Sequence, residues 1–216
     1  MPNIFVHAWK RKIVFPKSKK KLQIFNNGKN NKIDIQNPDL FLNSKLCIDG
    51  NNCRVIIKNA RYIRYTNIWI YNGDNQTIVI DDDVSVERAL MYLCGQNSKL
   101  TIKKDSMLAA GVSIWTADGH TIKDNKTGNI LNNKENHIII GEHVWIAQDV
   151  KLLKNAKIAD GCIVGASSCI CKEFKTPNCI IAGNPAEQIK TDISWEREDP
   201  YKKKVEAKKS GGNGQK

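Results

Sequence analysis

The sequence predicts an all-β fold in which short strands, joined by tight corners, form stacked triangular coils. Two repeats indicate this architecture: a strict period of six at residues 140–175, and a looser period of about 22 at residues 30–102. A period of six fits neither an α-helix, whose apolar stripe recurs every three or four residues, nor one long alternating strand. It fits three short strands per coil, each pointing one aliphatic side chain into a narrow interior.

The strict repeat divides residues 140–175 into six hexapeptides without a gap. Every first position is Ile, Leu or Val, and five of the six fifth positions carry a smaller side chain. The first positions are Ile140, Ile146, Leu152, Ile158, Val164 and Ile170. The same register begins upstream at Ile102, Leu108 and Ile114, which adds one further coil. We therefore expect the first and fifth positions to be buried inside the coils.

The looser repeat places an asparagine three residues before each of four aliphatic pairs, at spacings of 22, 23 and 22. These asparagines are Asn30, Asn52, Asn75 and Asn97. Asn tolerates the left-handed backbone conformation that a sharp corner requires, so the pattern predicts early coils with longer corners. An antiparallel sandwich would also suit Asn-rich turns, but it would not explain the strict period that follows.

Residues 117–139 interrupt the repeat with a polar run that begins around Asp118-Gly119-His120. A solenoid tolerates an insertion at a corner, because the loop can leave the stack without disturbing the strand ladder. We therefore expect an extruded loop with His120 at its root. Gly183 and Pro185 end the last coil, and residues 187–195 are expected to form a short C-terminal helix that caps it.

These patterns divide the chain into four parts. They are a basic N-terminal segment at 1–32, a β-helix domain at 33–183 that contains the 117–139 loop, a C-terminal cap at 184–200, and a basic flexible tail at 201–216.

The net charge of +12 belongs to the two ends of the chain. Residues 1–32 carry nine basic and no acidic groups, and residues 201–216 have a net charge of +5, which leaves −2 for residues 33–200. The basic N-terminal segment could contact a polyanion or an anionic membrane surface, although solvated termini are the simpler interpretation. Neither an aromatic RNA-recognition motif nor a helix-turn-helix pattern is present, so no nucleic-acid partner is expected.

The cysteines indicate a reducing compartment. There are seven, an odd number, and no two have the CxxC spacing typical of structural zinc or redox sites. The N-terminus lacks the apolar stretch of a secretory signal, and no apolar run approaches the roughly 20 residues of a membrane-spanning helix. We therefore expect a cytoplasmic protein.

Several motifs resemble those of the hexapeptide-repeat acyltransferases, whose fold is a left-handed parallel β-helix. The resemblance covers residues 100–195 and also includes the closing segment at 189–197, which is most similar to bacterial polysialic acid and capsular polysaccharide O-acetyltransferases. The matching features are the repeat itself, Asp118-Gly119-His120, Gly141-x-x-Val144-Trp145-Ile146, Val164-Gly165-Ala166-x-Ser168, Lys172 and Ala182-Gly183-Asn184-Pro185-Ala186.

The resemblance implies transfer of acetyl from acetyl-CoA to a hydroxyl of a surface polysaccharide, by direct attack with His120 as the general base. Histidine suits this task because its unperturbed pKa lies near neutrality. Asp118 would orient the loop or the imidazole, or contact the acceptor, unless it is only an acidic corner residue. Trp145 would take part in catalysis and in acceptor binding, and packing is its alternative role.

The resemblance also implies a binding site for acetyl-CoA. Small residues would flank the pantetheine arm, and cations would lie near the phosphates. The implied residues are Gln148, Ala166, Gly183 and Pro185 along the arm, with Lys172 and Lys190 near the phosphates. Glu187 departs from the pattern, because relatives often carry Arg at this place.

The expected partners are acetyl-CoA, a glycan acceptor, and two further copies of the chain in a homotrimer whose sites lie at subunit interfaces. No metal is expected: His137-x5-His143 differs from the His-x4-His pair of the gamma-class carbonic anhydrases. Two alternatives remain, an acetyltransferase of a small molecule such as a sugar, amino acid or antibiotic, and a non-catalytic β-helix binding module.

Overall fold

The computed structural model describes residues 4–7, 11–14, 22–132 and 136–199. It is a left-handed parallel β-helix of about seven coils, which confirms the predicted fold class. Each coil contributes one strand to each of three sheets, so that the body is a triangular prism with eight strands on every face. The predicted tail at 201–216 and the side chains of residues 1–21 lie outside the described residues.

The strands are numbered along the chain. Sheet 1 contains β2 (Arg11–Val14), β3 (Leu22–Asn26), β6 (Ser44–Ile48), β9 (Asn67–Tyr71), β12 (Leu90–Cys94), β15 (Ser113–Trp115), β18 (Lys151–Leu152) and β21 (Cys169–Ile170). Sheet 2 contains β1 (Ile4–His7), β4 (Lys32–Ile35), β7 (Arg54–Ile57), β10 (Thr77–Ile80), β13 (Lys99–Ile102), β16 (His137–Ile140), β19 (Lys157–Ile158) and β22 (Glu173–Phe174). Sheet 3 contains β5 (Phe41–Leu42), β8 (Tyr62–Arg64), β11 (Ser85–Glu87), β14 (Met107–Leu108), β17 (Trp145–Ile146), β20 (Ile163–Val164), β23 (Ile180–Gly183) and β24 (Ala186–Lys190).

Each of the three corners of the prism takes its name from a loop, a chain segment or a residue that lies on it. The chain passes from sheet 1 to sheet 2 at the loop edge, where the insertion between β15 and β16 leaves the prism. It passes from sheet 2 to sheet 3 at the C-terminal edge, and from sheet 3 to the next strand of sheet 1 at the Gln148 edge. A single 3₁₀ turn, Pro38–Leu40, precedes β5, and the described residues contain no α-helix.

The hexapeptide positions are buried as predicted. The first positions are at most 3% exposed, and the fifth positions are at most 7% exposed. Because one Ile, Leu or Val per strand meets its equivalents from the coils above and below, a single column of aliphatic side chains fills the prism.

The asparagine corners also follow the prediction. Asn30, Asn52, Asn75 and Asn97 have φ angles of 57°, 54°, 59° and 56°, which lie in the left-handed region. Their side chains are stacked: the Asn30 amide donates to Asn52 over 3.4 Å, and the Asn75 amide donates to Asn97 over 3.2 Å. The period of about 22 therefore corresponds to one coil.

The parallel ladder begins early in the chain. β3 pairs in parallel with β6, which places residues 22–32 in the first coil although the sequence pattern grouped them with the basic N-terminal segment. β1 and β2 pair antiparallel with β4 and β3. They therefore cover strand edges that would otherwise be open at this end of the prism.

The predicted helix at residues 187–195 is wrong. β24 pairs antiparallel with β23, and residues 191–199 have no regular secondary structure. The chain reverses at Gly183, whose φ of 109° is readily available only to glycine. Because β23 is the last parallel strand of its sheet, its free backbone groups bind a returning strand rather than leaving the edge open.

No helix in the described part of the chain is long and apolar enough to cross a membrane.

Candidate active site

The inserted loop leaves the solenoid at the loop edge, as predicted, and His120 is exposed at its root. Residues 137–139, which the sequence assigned to the loop, instead belong to β16, because they continue the parallel ladder from β13. The ladders continue on both sides of it, with β13 paired to β16 and β15 paired to β18. None of the described residues hydrogen-bonds the imidazole of His120. The ring is therefore available to a substrate.

Asn132 ties the two arms of the loop together on either side of His120. Its side-chain amide donates to the carbonyl oxygen of His120 over 2.7 Å and to the carboxylate of Asp118 over 2.9 Å. Its amide oxygen accepts the backbone N–H of Ile122 over 2.9 Å. Sequence reasoning missed this residue, because one polar side chain within a polar loop carries no distinguishing pattern.

Asp118 anchors the loop to the body of the prism. Its carboxylate accepts a hydrogen bond from Lys154, which lies at the same edge one coil further along the chain. The hydrogen bond from Lys154 holds the pKa of Asp118 below its usual value. Asp118 therefore stays ionised and orients the loop backbone. Lys154 is a second residue that sequence reasoning did not single out.

A cleft of about 260 Å³ opens beside His120. It is lined by Asn72, Gly95, Cys94 and Asn132, among others. Burial raises the pKa of the Cys94 thiol, so that this cysteine remains protonated and is a poor nucleophile. The cleft therefore combines an exposed imidazole with a cysteine that is not activated as a nucleophile.

A larger cleft of about 610 Å³ lies on the outer face of sheet 1. Trp115 and Leu153 contribute apolar surface, and Asp118 lines both this cleft and the smaller one. Tyr92 packs against Trp115 with ring centroids 4.2 Å apart. Apolar and aromatic surface therefore extends from the root of the loop across sheet 1.

The implied coenzyme A residues gather along the Gln148 edge. Gln148 and Ala166 are exposed in successive coils, linked by a 2.8 Å hydrogen bond from the Ser167 N–H to the Gln148 carbonyl oxygen. Gly183 follows in the next coil, where its N–H donates to the Ser168 hydroxyl over 3.1 Å. The structure thus aligns three positions that are far apart in sequence.

The remaining implied residues lie around the last coil but on different edges: Pro185 at the Gln148 edge, Lys190 opposite Ile180 at the C-terminal edge, and Lys172 between β21 and β22 at the loop edge. Pro185 is exposed in the turn between β23 and β24, and Lys190 is exposed at the end of β24. Lys172 donates to both carboxylate oxygens of Glu187, over 2.7 and 2.9 Å. Both side chains are about half exposed, so the pair is weak and an incoming phosphate could replace the carboxylate.

Trp145 is not brought together with His120. It lies on sheet 3 and lines neither cleft, and its ring packs 6.0 Å from that of Trp195. Trp195 also stacks on His143, with ring centroids 4.0 Å apart. Within one chain, Trp145 therefore belongs to an aromatic cluster at the C-terminal edge.

The described residues contain no group of three or more His, Cys, Asp or Glu side chains placed to hold a metal. His143 faces the Asp105 carboxylate through Nδ1 at 2.7 Å and the Trp195 carbonyl oxygen through Nε2 at 3.0 Å. Both of its ring nitrogens are therefore occupied by structural contacts.

His120 and Gln148 lie on opposite edges of sheet 1. Gln148 comes immediately before β18, whereas Lys154, which holds the root of the loop, follows it. The whole width of the sheet thus separates His120 from the Gln148 edge of the same chain. Acyl transfer requires the attacking hydroxyl, with the base that accepts its proton, to lie beside the carbonyl carbon of the thioester.

Comparison with known proteins shows the family to which the chain belongs. A family model described as bacterial transferase hexapeptide (six repeats) matches residues 137–172. The chain is 34% identical over 190 residues to the polysialic acid O-acetyltransferase of Neisseria meningitidis, covering 79% of this chain and 87% of that protein.

Two solved structures share the fold. The polysialic-acid-specific acetyltransferase NeuO superposes with a TM-score of 0.69 at 22% identity, over 92% of this chain and 94% of that one. The polysialic acid O-acetyltransferase OatWY superposes with a TM-score of 0.52 at 26% identity, over 87% and 84% of the two chains.

A left-handed β-helix of hexapeptide repeats with a histidine on an extruded loop is the architecture of an acyl-transferring enzyme. The chain belongs to the hexapeptide-repeat acyltransferases, and among them it is similar to the bacterial polysialic acid O-acetyltransferases.

Proposed function

We propose that the chain is an acetyl-CoA-dependent O-acetyltransferase that modifies a hydroxyl of a bacterial surface polysaccharide, such as a capsule, a polysialic-acid-like polymer or an O-antigen. The observation that carries the proposal is His120, which is exposed beside a cleft on a loop that Asn132 and Asp118 tie in place. The polysialic acid O-acetyltransferase of Neisseria meningitidis supports the choice of a polysaccharide acceptor.

The imidazole of His120 would accept the proton of the sugar hydroxyl as its oxygen attacks the thioester carbonyl carbon. The carbon–sulfur bond then breaks, and His120 returns the proton to the departing thiolate, leaving an acetyl ester and coenzyme A. The protonated thiol of Cys94 is consistent with direct transfer, because an acyl-enzyme would need an activated nucleophile.

The exposed residues of the Gln148 edge, together with lysines near the end of the prism, have the properties that a binding site for acetyl-CoA needs. Exposed Ala166 and Gly183 leave room for the thin pantetheine arm, and Lys172 and Lys190 would contact the phosphates. Glu187 must release Lys172 for this to happen. Because a phosphate group carries more charge than a carboxylate, it competes well for an exposed lysine.

We further propose a homotrimer in which each active site forms between two subunits. Since His120 and Gln148 lie on opposite edges of sheet 1, a neighbouring copy must bring its loop to the Gln148 edge of this chain. Trp115 and Leu153 on the face between these edges provide apolar surface for such contacts.

The central test compares the protein with its His120→Ala variant, using acetyl-CoA and a panel of capsular oligosaccharides and polysaccharides. Release of the coenzyme A thiol and the mass gain of one acetyl group are followed together. Removal of the general base is expected to lower turnover by roughly 10²–10⁴-fold.

Lys126→Ala, an exposed position in the same loop, is the matched control and should retain full turnover. Equal turnover by His120→Ala would remove His120 as the base. Turnover only with free sugars, amino acids or antibiotics would favour the small-molecule alternative, and no thiol release with any acceptor would contradict the enzyme assignment.

A further inference from the structure

A column of cations runs along sheet 2 beside the loop edge. Lys32, Arg54, Thr77 and Lys99 are the first residues of β4, β7, β10 and β13, and the parallel register places each directly opposite the next. The three cations are all exposed. Lys99 lies opposite His137, the first strand residue after the loop, so the column ends at the base of the loop.

These three cations have no ion-pair partner among the described residues. Elsewhere on sheet 2, Lys58 pairs with Asp81 at 2.7 Å. Lys32 and Arg54 instead face each other across neighbouring strands, and like charges in that arrangement destabilise a sheet. The sheet itself therefore does not stabilise the positive charges of the column, whereas a bound anionic ligand would reduce the repulsion between them.

Amide groups accompany the cations coil by coil. Asn30, Asn52, Asn75 and Asn97 each lie two residues before a member of the column, on the loop edge itself. The carboxylates of Asp49 and Asp74 on the same edge are hydrogen-bonded by Asn27 and by the Asn51 N–H, each over 2.7 Å. In each of these coils, an asparagine side chain therefore lies close to the charged or polar residue that begins the strand of sheet 2.

The column runs beside the loop edge, and residues of that edge line the cleft at His120. Asn72 and Gly95, which line that cleft, are loop-edge residues of the third and fourth coils. From Lys32 to His137 there are four strand-to-strand steps, a span of roughly 19 Å. The first coil, where the column begins, is also where β1 and β2 of the basic N-terminal segment pair with β4 and β3.

We propose that this track, formed by Lys32, Arg54 and Lys99 with the loop-edge asparagines, binds an extended anionic polysaccharide and guides it to His120. The proposal rests on the proposed function, since it adds to that active site the surface along which the polymer approaches. The track supplies spaced cations for the acidic groups of the polymer and amides for its hydroxyl groups.

The test uses the full-length chain and a double charge reversal, Arg54→Glu with Lys99→Glu. Arg64→Glu is the matched control, because Arg64 lies in the same coil as Arg54 but is exposed on sheet 3. Direct binding of fluorescent polysialic acid is measured without acetyl-CoA, so the result does not depend on turnover. Neutral dextran and single-stranded DNA are the comparison polymers.

We expect the double reversal to weaken polysialic acid binding by roughly tenfold or more, because two exposed attractive contacts become repulsive. Binding to the unmodified protein should weaken as salt rises, and dextran should not bind. In turnover assays, the KM for the polymer relative to that for a sialic acid dimer should rise by a similar factor.

Unchanged polymer binding in the double reversal, with circular dichroism showing a folded protein, would overturn the track. If DNA binds as tightly as polysialic acid, and the variant loses both equally, the track is instead a surface that binds polyanions in general. If the protein binds the polymer through the track but acetylates no polysaccharide, the proposed function fails while the track stands.

Discussion

At the scale of single residues, the position of His120 depends on Asn132. One side chain bonds the His120 carbonyl, the Asp118 carboxylate and the Ile122 N–H, and so holds the backbone before and after the imidazole. Lys154 connects this unit to the next coil through Asp118. A mobile histidine would spend less time in line with the bound hydroxyl, so the network should affect the rate rather than cofactor binding.

Replacing Asn132 with Ala should therefore lower kcat by roughly tenfold, since several modest hydrogen bonds are lost and about 1.4 kcal/mol is a factor of ten. The KM for acetyl-CoA should stay the same, because the side chain of Asn132 bonds only groups of its own loop and none of the implied cofactor residues. Steady-state kinetics on both substrates measures the two effects.

Asn129→Ala is the control, since Asn129 bonds Thr127 and Asp124 through its backbone groups, which the substitution keeps. A larger effect on the KM for acetyl-CoA than on kcat would contradict a positioning role for Asn132.

At the scale of elements, the segment 191–199 acts as a strap across the C-terminal edge. Trp195 is 7% exposed, and its indole N–H donates to the His143 carbonyl oxygen over 2.9 Å. Arg197 donates to the Asp105 carboxylate over 2.7 Å and to the Ser85 hydroxyl over 2.9 Å. The strap joins the end of the chain to corners of earlier coils, whereas the predicted helical cap would have contacted only the last coil.

Asp105 makes the strap sensitive to acid. Burial by itself raises the pKa of Asp105, but hydrogen bonds from His143 and Arg197 outweigh it and leave the pKa below the ordinary value of 3.8. A carboxyl whose pKa is lower in the folded state stabilises the fold above its unfolded pKa. That contribution is lost as the pH falls below 3.8 towards the folded value.

The variant Asp105→Asn should lower the free energy of unfolding at pH 7 by about 2 kcal/mol, the scale of hydrogen bonds to charged groups. As the pH falls below 3.8 towards the folded pKa of Asp105, the stability deficit of the variant should shrink, because the unmodified carboxyl becomes protonated and loses its charge. Urea unfolding at several pH values provides the measurement.

Asp192→Asn, an exposed change within the strap, should leave the free energy of unfolding unchanged at every pH. A stability deficit in Asp105→Asn that is equally large at pH 3 and pH 7 would show that the ion pair is not the cause.

At the scale of the whole molecule, residues with different proposed roles lie on different edges of the prism. The loop edge carries His120, and the Gln148 edge carries Gln148, Ala166 and Gly183. Sheet 1 lies between them and presents Trp115 to the outside. The proposal that each active site forms between two copies of the chain rests on this separation.

Mixing two inactive variants tests that proposal. His120→Ala lacks the base but keeps an intact Gln148 edge, whereas Ala166→Arg keeps the base and obstructs the groove for the pantetheine arm. When the two are co-expressed in equal amounts, random assembly of a cyclic trimer should restore about a quarter of the unmodified activity.

Each variant expressed alone, and the two mixed without subunit exchange, are the controls and should remain inactive. Activity that never rises above that of the separate variants would mean that each chain contains a complete site.

The sequence determined the architecture because the pattern is local and repeated. A hexapeptide specifies one strand and one corner, so Ile140 or Asn30 needs only its neighbours in the chain to indicate a buried position or a left-handed corner. The same locality identified the loop and His120, since an insertion is visible as a break in the period.

Only the tertiary structure decided which residues meet. Asn132, Lys154 and the strap residue Arg197 act through contacts that span 12, 36 and 92 positions, and no sequence period links them to their partners. The C-terminal strand replaced a predicted helix for the same reason, because the open edge of β23 supplied partners that local propensity cannot register. Stacking of coils also brought cations that are far apart in sequence into one column that ends at the base of the loop, opposite His137.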